Sequence, residues 1–205
     1  MLLHVDDTNR INERVVLRSM FEARKRVFID LLRWDIPALD DRYEVDHFDI
    51  ADARYIILAD GEHRHLASAR LLPTTRPGIL DTLFPDLCDG TLPAGDSIWE
   101  ITRFCLSPDM RAADRRLCRN KLVTALAMYA VDHGVDTYTG VADLPWLEQI
   151  LQFGWDCELL GKPKRYGPRM LGALRIRITQ DTLPALRRAG IFAAPQDPLP
   201  MSRAA

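Results

Sequence analysis

The stretch Ile98-Trp99-Glu100-Ile101-Thr102-Arg103-Phe104-Cys105-Leu106 is the part of the sequence that predicts the fold most directly. Apolar, aromatic and β-branched side chains dominate it, which predicts a strong β-strand. Two charges, Glu100 and Arg103, interrupt the run. Because they are three residues apart, a regular strand would turn them to opposite faces, whereas a β-bulge between them would restore a common face. We therefore expect this strand to be irregular at residues 100–103 or to use its charges on opposite faces.

The sequence on both sides of this strand predicts a mixed central sheet flanked by helices. Further strands are expected at residues 2–5, 55–59, 66–72, 137–141, near Glu158, and at 170–178. Helices are expected from Asn9 or Asn12 to about Trp34, around 79–84, at 113–133, at 144–153 and from Thr182. Residues 35–53 lack periodicity and predict a long polar loop. The order of these elements is that of an α/β sandwich.

Length and composition favour a single domain. A chain of 205 residues, 47% of them hydrophobic, can bury one full core. We predict one domain over residues 1–192. The remaining residues, 193–205, are rich in Pro and Ala and are expected to form a flexible tail.

Charge and hydropathy limit the kinds of partner that the protein is expected to bind. The formal net charge is -2, without the basic excess of a dedicated nucleic-acid binder. No apolar run approaches the roughly 20 residues that span a bilayer, and the amino-terminal segment turns acidic at Asp6 and Asp7. We therefore expect a cytoplasmic protein with neither nucleic acid nor membrane as a partner. The four cysteines lie far apart and predict reduced, mostly buried thiols rather than a metal site.

Arg24 is the charge that fits its predicted surroundings least. It lies on the apolar stripe of the first helix, one turn from Met20 and from Phe28. A buried guanidinium must be paired, because burying an isolated charge is very unfavourable. Five other charges stand where surface charges are not expected: Asp46, Asp49, Arg70, Glu100 and Arg103. These three arginines and three carboxylates predict one ion network, which either stabilises the core alone or takes part in catalysis.

Two other groups of residues each have two possible interpretations. His47 with Asp46 and Asp49 permits a metal site, but pairing of the aspartates with arginine is favoured. Phe28 and Trp34 either anchor the core or form an aromatic wall for a cationic or adenine-bearing ligand.

Basic residues cluster in two segments, one after the glycine-free turn at 107–114 and one before the last predicted strand. These segments are either ordinary solvated surface or a docking surface for an acidic partner. Their members are Arg111, Arg115, Arg116, Arg119, Lys162, Lys164 and Arg165.

Six motifs follow one another in a specific order and spacing between about Leu17 and Ile178. They are Arg24-Lys25-Arg26-Val27-Phe28, Trp34, Asp46-His47-Phe48-Asp49, Arg70 with Leu72-Pro73-Thr74-Thr75, Phe84-Pro85, and Trp99-Glu100-Ile101-Thr102-Arg103-Phe104. Together they resemble the acyl-homoserine-lactone synthases, the autoinducer synthases of bacterial quorum sensing. The resemblance implies a fold related to the GNAT N-acetyltransferases, consistent with the mixed sheet predicted above.

The resemblance also implies a reaction. Members of that family acylate the amine of S-adenosylmethionine from an acyl thioester on acyl carrier protein or coenzyme A. The methionine carboxylate then attacks its own γ-carbon, which closes the lactone and releases methylthioadenosine. S-adenosylmethionine and the acyl thioester are both substrates, so no resident cofactor or metal is expected.

Residue roles follow from the same resemblance. Glu100 is implied as the general base. The residues implied for the S-adenosylmethionine pocket are Arg24, Phe28, Trp34 and Arg103, and those implied for the ionic scaffold are Asp46, Asp49 and Arg70. The acyl pocket is implied to comprise Phe84, Val141, Ala142, Leu144, Trp146, Leu147, Leu151 and Phe153.

The resemblance bears on the acyl donor and the acyl group as well. Common N-acetyltransferases bind the pyrophosphate of coenzyme A through a glycine-rich turn, so the glycine-free turn at 107–114 favours a carrier protein that docks on the basic segments. Relatives that make 3-oxo products often carry threonine where Ala142 stands, which favours an unsubstituted acyl group. The alternatives are a conventional GNAT-type N-acetyltransferase that uses acetyl-CoA, and a non-catalytic interaction module on the same scaffold.

Overall fold

The structure, a computed structural model, describes residues 1–197. Its strands are β1 (Leu2–Val5), β2 (Arg54–Ala59), β3 (His65–Pro73), β4 (Ile98–Leu106), β5 (Thr137–Asp143), β6 (Asp156–Leu159), β7 (Lys164–Tyr166) and β8 (Arg169–Arg177). Its α-helices are α1 (Arg14–Arg24), α2 (Ile79–Leu83), α3 (Ala112–His133), α4 (Leu144–Leu151) and α5 (Thr182–Arg188). A π-helical segment, Lys25–Leu31, continues α1, and a 3₁₀ turn, Pro85–Leu87, follows α2.

The strands form one mixed sheet in the order β1-β2-β3-β4-β5-β8-β6, with β7 added to β8. β4 and β5 run parallel, whereas β5 and β8 run antiparallel. The predicted α/β fold with a mixed sheet flanked by helices is therefore confirmed. Strands β1 and β4 have the predicted bounds, and β7 is a short strand that the sequence did not predict.

The first helix differs from its prediction. It begins at Arg14 instead of Asn9 or Asn12, and its α-helical part ends at Arg24. The next seven residues, Lys25–Leu31, form the π-helix, in which the N–H group of Leu32 donates to the carbonyl of Val27. A π-helix has the same apolar pattern as an α-helix over so short a distance, so periodicity could not distinguish them.

Local sequence explains the ends of the later helices. Asp143 caps α4 by accepting a hydrogen bond from the N–H of Trp146, and Pro145 occupies the first turn, where no N–H donor is needed. Gly134 follows α3 with φ +68°, the left-handed conformation that ends helices, as the sequence predicted.

Contacts divide the chain into two compact units, described separately below. Within the described residues, the first unit comprises 1–69, 103–125 and 193–197, and the second comprises 70–102 and 126–192. Buried side chains that form the core of the first unit include Val5, Val16, Met20, Ile56 and Ile57. Those of the second unit include Leu80, Leu87, Tyr138, Leu147 and Ile176.

The segment 193–197 is tied to helix α3 of the first unit. The N–H of Ala193 donates to the Thr124 hydroxyl at 3.1 Å, and the buried Lys121 ammonium donates to the carbonyl of Asp197. The rest of the predicted tail, residues 198–205, lies outside the described residues. Within residues 1–197, no helix combines the length and apolar character needed to cross a bilayer.

Gly161 provides a test of packing in the second unit. A Cβ added there would lie 2.5 Å from the carbonyl oxygen of Leu87 and 3.0 Å from the amide nitrogen of Asp89. Because both are backbone atoms, we expect Gly161→Ala to lower the free energy of unfolding by about 2 kcal/mol in urea denaturation. Gly90→Ala is the control, since nothing lies within 4 Å of its added Cβ. Equal stability of the two variants would contradict this account.

Candidate active site

Glu100 is the chemically most distinctive residue of the second unit. Its side chain is only 2% exposed, although it carries a carboxylate in the middle of β4. The carboxylate accepts hydrogen bonds from the backbone N–H groups of Ile79, at 2.8 Å, and Leu80, at 2.9 Å. These are the first two residues of α2, whose N–H groups have no partner inside the helix. The start of α2 therefore satisfies a carboxylate that would otherwise be unpaired in the core.

Gly78 allows this close approach. An added Cβ at this position would overlap Oε2 of Glu100. Its N–H donates to the Asp81 carboxylate at 2.7 Å, which fixes the turn into α2. The Pro77-Gly78 pair is typical of a turn, but such a pair carries no information about which side chain the turn contacts.

The environment of Glu100 moves its pKa into the neutral range. The pKa of Glu100 is raised to about 7, mainly by burial and also by the nearby Asp81 carboxylate, although the two N–H donors and Arg70 act in the opposite direction. A group with a pKa near 7 exchanges protons readily at neutral pH, as a general base must. Glu100 therefore has the protonation behaviour that the predicted role requires.

Arg70 is held beside this carboxylate without being hydrogen-bonded to it. It is 1% exposed, and its Nε donates to the Thr102 hydroxyl at 2.9 Å. The sequence predicted Glu100 as one of the three carboxylates of the ion network. The hydrogen bonds to its carboxylate come from backbone N–H groups, and Arg70 acts on it through its charge, so the place of Glu100 in the ion network stays a prediction.

A small cavity of about 40 Å³ opens beside Glu100. It is lined by Thr74, Arg76, Gly78, Leu80, Asp81, Leu92, Pro93, Ala94, Glu100 and Thr139. Behind it, Leu80 packs in an apolar cluster with Leu87 and Ala173, joined by half-buried Phe84 and Val141. A polar reacting group and an apolar chain would thus find matching surroundings within the second unit.

The first unit contains four of the six charges of the predicted ion network, Arg24, Asp46, Asp49 and Arg103, together with Glu44, which the sequence did not single out. Arg24 is 1% exposed and donates to both carboxylate oxygens of Asp49, at 2.8 and 3.0 Å. Its Nε donates to Glu44, which is fully buried. Although burial opposes the charged form, the carboxylates of Asp49 and Glu44 raise the pKa of Arg24. Its charge is therefore compensated within the core.

Glu44 joins Arg24 to a second arginine. Arg103 donates to Glu44 at 3.0 Å and to Asp46 at 2.6 Å. Sequence analysis did not single out Glu44, because it lies in the segment 35–53, which lacks periodicity. Its position between Tyr43 and Val45 is the only local signal of burial.

Arg103 has a backbone conformation that strands rarely contain. Its φ is +50°, and the burial pattern of β4 shifts by one residue there, with Glu100, Thr102 and Cys105 buried. The predicted irregularity at residues 100–103 is confirmed. A left-handed non-glycine residue costs about 1–3 kcal/mol and persists where the surroundings impose it. Here the imposing contacts are the two carboxylates.

An aromatic pair lies against the Arg103 guanidinium. Phe28, on the π-helix, and Trp34 are stacked with ring centroids 4.6 Å apart. The guanidinium carbon lies 5.6 Å from each ring centroid, within cation–π range. Phe28 lies within the π-helical segment, and local π-helical geometry occurs frequently at functional sites.

The predicted acyl-pocket residues of the second unit differ in their burial and in their contacts. Phe84 and Val141 belong to the apolar cluster beside Leu80. Ala142 and Leu147 are buried, Leu144 is half-buried, and Trp146 contacts Phe153 with ring centroids 5.7 Å apart. Leu151 is 37% exposed, which argues against a lining role for it.

The predicted docking residues lie at the surface but make intramolecular contacts. Arg115 donates to the Ser107 carbonyl, Arg119 donates to Asn120, and Lys164 pairs with Asp86 at 3.5 Å. Arg111, Arg116, Lys162 and Arg165 are exposed. Docking of a partner on these residues stays a prediction.

The chain is similar in sequence and in structure to proteins of a known family. The family model described as autoinducer synthase matches residues 7–186. A probable acyl-homoserine-lactone synthase from Sinorhizobium fredii is 31% identical over 195 residues, 92% of each chain. The solved CoA-dependent acyl-homoserine lactone synthase BjaI, in complex with SAM and isopentyl-CoA, aligns with TM-score 0.84 and 27% identity over 93% of this chain and 89% of that chain. MesI, another CoA-dependent synthase, aligns with TM-score 0.83 and 28% identity over 95% and 97%.

A more distant structure bears on the fold alone. A putative N-acetyltransferase from Lactobacillus plantarum aligns with TM-score 0.58 and 14% identity, over 87% of this chain and 98% of that chain. This likeness confirms the predicted GNAT-like fold. The fold and the relatives define an enzyme of the acyl-transferring class. Within that class, the chain belongs to the autoinducer synthase family.

Glu44 offers a test of the ion network. We expect Glu44→Gln to lower the free energy of unfolding by roughly 3 kcal/mol, because two buried or half-buried arginines lose a shared anion. Urea denaturation measures this change. Glu22→Gln is the control, since Glu22 pairs with the exposed Arg42 and such surface pairs contribute about 0–1 kcal/mol. A loss no larger than that of the control would show that the network does not stabilise the first unit.

Gly78 offers a test of the Glu100 site. Its φ of -117° suits alanine, so Gly78→Ala acts only through the contact with the Glu100 carboxylate. We expect acyl transfer to slow by about 100-fold, the effect of displacing a catalytic group by roughly 1 Å. Steady-state kinetics of this variant and of Gly90→Ala measure the effect. Unchanged kinetics in Gly78→Ala would show that acyl transfer does not depend on Glu100.

Proposed function

We propose that this protein joins an acyl group from a thioester to the amine of S-adenosylmethionine and then closes the product to an acyl-homoserine lactone. The observation that carries the proposal is Glu100, a carboxylate buried in β4, held by two backbone N–H groups and facing a small cavity. Family membership supplies the reaction, and the site supplies the base that it needs.

Glu100 is the general base of the first half-reaction. It takes a proton from the donor ammonium, and the neutral amine attacks the thioester carbonyl carbon. The C–S bond of the thioester then breaks, a second proton passes from the nitrogen to the departing sulfur, and the products are the amide and the thiol. In the second half-reaction, a carboxylate oxygen of the acylated donor attacks the γ-carbon, the bond from that carbon to the sulfonium sulfur breaks, and methylthioadenosine leaves.

Residues of the first unit provide the recognition of the amine donor. Phe28 and Trp34 form an aromatic wall that suits a sulfonium ion or an adenine ring. Arg24 and Arg103 fix this region through their carboxylate partners. No resident cofactor takes part in the proposed reaction, since S-adenosylmethionine and the thioester are both consumed.

For the acyl donor we propose acyl-CoA. Two relatives with similar structures, BjaI and MesI, are described as CoA-dependent. The glycine-free turn at 107–114 pointed instead to a carrier protein, whose acidic surface would meet the exposed basic residues of the two segments defined above. Both donors carry the acyl group as a thioester, so the proposal for Glu100 holds for either donor.

The test is an incubation of purified protein with S-adenosylmethionine and matched panels of acyl-CoA and acyl carrier protein thioesters. We expect lactone and methylthioadenosine by mass spectrometry, and faster turnover with an acyl-CoA. An acylated product without methylthioadenosine would indicate a conventional N-acyltransferase. Absence of product with every donor would contradict the proposed function.

Replacement of the base gives a second prediction. We expect Glu100→Gln to lower kcat by about 100-fold or more, because the amide cannot accept the proton. In the unmodified protein, kcat/KM should rise with pH and level off above pH 7, because burial raises the pKa of Glu100 to about 7 and only the ionised form is a base. Glu148→Gln, which changes an exposed carboxylate on α4, is the control. An activity that is independent of pH between 5 and 8 would exclude this role.

A further inference from the structure

The amine that Glu100 deprotonates in the proposed reaction is part of an α-amino acid. The carbon that bears the ammonium also bears a carboxylate, so a negative charge enters the site together with the amine. Glu100 cannot balance this second charge, because like charges repel. A site that accepts the whole amino acid end therefore has to offer a cation as well as an anion.

Two charged side chains besides Glu100 line the cavity of the second unit. They are Arg76 and Asp81, and both are exposed, whereas Glu100 is buried. The two charges therefore lie on the solvent side of the cavity. Among the described residues that line it, Arg76 is the only cation, since the others are neutral or acidic. Arg70, which also lies near Glu100, is not part of this lining and donates to Thr102.

Asp81 is held beside Glu100 by the turn into α2. Its carboxylate accepts a hydrogen bond from the N–H of Gly78 at 2.7 Å. A Cβ added to Gly78 would lie 3.6 Å from the same oxygen of Asp81 and would overlap Oε2 of Glu100, so the two carboxylates flank one small residue. Asp81 is also close enough to raise the pKa of Glu100. An ammonium that reaches Glu100 is therefore attracted by both carboxylates.

Arg76 lies in a short segment that is anchored to the start of β4. The hydroxyl of Thr74 donates to the carbonyl of Ile98 at 2.7 Å. The N–H of Arg76 donates to the carbonyl of Pro73 at 3.2 Å. Since Ile98 lies two residues before Glu100 in the same strand, these hydrogen bonds fix the backbone of Arg76 beside the cavity.

We propose that Arg76 and Asp81 bind the α-amino acid end of the amine donor, Arg76 by pairing with the donor carboxylate and Asp81 by pairing with the donor ammonium. This inference rests on the proposed function. A guanidinium presents parallel N–H groups that match the two oxygens of a carboxylate. The two side chains together favour a zwitterionic donor over a simple amine, and they direct its ammonium toward Glu100.

The test is isothermal titration calorimetry without an acyl donor. The ligands are S-adenosylmethionine and its decarboxylated form, which keeps the ammonium but lacks the carboxylate. We expect the unmodified protein to bind S-adenosylmethionine about tenfold more tightly, the scale of one charge-assisted hydrogen bond. Arg76→Gln should bind the two ligands equally, whereas Arg76→Lys should keep part of the preference because it keeps the charge.

Asp81→Asn tests the other half of the pair. The amide oxygen of asparagine can still accept the N–H of Gly78, so this variant keeps the turn and loses only the charge. We expect it to weaken the binding of both ligands by about threefold, the scale of an exposed ion pair, because both ligands carry the ammonium. Arg188→Gln is the control, since Arg188 is exposed, pairs with Asp181 and lies outside the cavity lining.

The outcomes separate this inference from the proposed function. A preference for S-adenosylmethionine that persists in Arg76→Gln, or an Asp81→Asn variant that binds like the unmodified protein, would overturn the inference even if lactone is formed. Losses of the same size in the control variant would overturn it as well. If the unmodified protein shows the expected preference but makes no lactone with any donor, the proposed function fails and the binding assignment is retained. If it binds neither ligand, both fail.

Discussion

The structure of the second unit depends on how a carboxylate is accommodated away from water. An ionised side chain in a core requires donors, and Glu100 obtains them from the backbone at the start of α2. That choice has consequences for the local chain. The helix must begin where its first N–H groups reach β4, and the residue before it must lack a side chain, as Gly78 does. The turn before α2, the strand and the cavity are thus consequences of one interaction.

In the first unit, buried charges are compensated by side chains of the opposite charge. Arg24 and Arg103 share Glu44, and each has a further aspartate partner. Such a cluster is held by several charge-assisted hydrogen bonds, so removing one member leaves another buried charge uncompensated. The left-handed conformation of Arg103 is a consequence, because a non-glycine residue keeps this unfavourable geometry only where contacts such as these carboxylates hold its side chain.

Sequence reasoning reached the elements of this architecture whose signals are local. The strand over residues 98–106 and the need to pair Arg24 followed from side-chain pattern alone, and both agree with the structure. Three features could not be obtained in this way. The π-helix has the apolar pattern of an α-helix, Glu44 lies in an aperiodic segment, and the cradle for Glu100 is formed by backbone N–H groups, which carry no side-chain signature. Sequence patterns therefore predicted that these charges are buried and that the aspartates pair with arginines, but they did not predict the backbone partners of Glu100 or the part that Glu44 plays.

The partner of a buried carboxylate determines what it can do. Asp49 is fixed by two hydrogen bonds to a guanidinium, and protonating it would leave that cation uncompensated in the core. Glu100 is held by neutral N–H groups, which stabilise its charge less than a guanidinium does, so burial still raises its pKa to about 7. It can gain a proton and keep its place, because neutral backbone N–H groups hold it. The buried carboxylates therefore have two different roles. Those that pair with arginines keep their charge and form the scaffold. Glu100, which backbone N–H groups hold, can exchange a proton, so the type of donor and not the carboxylate itself determines the role.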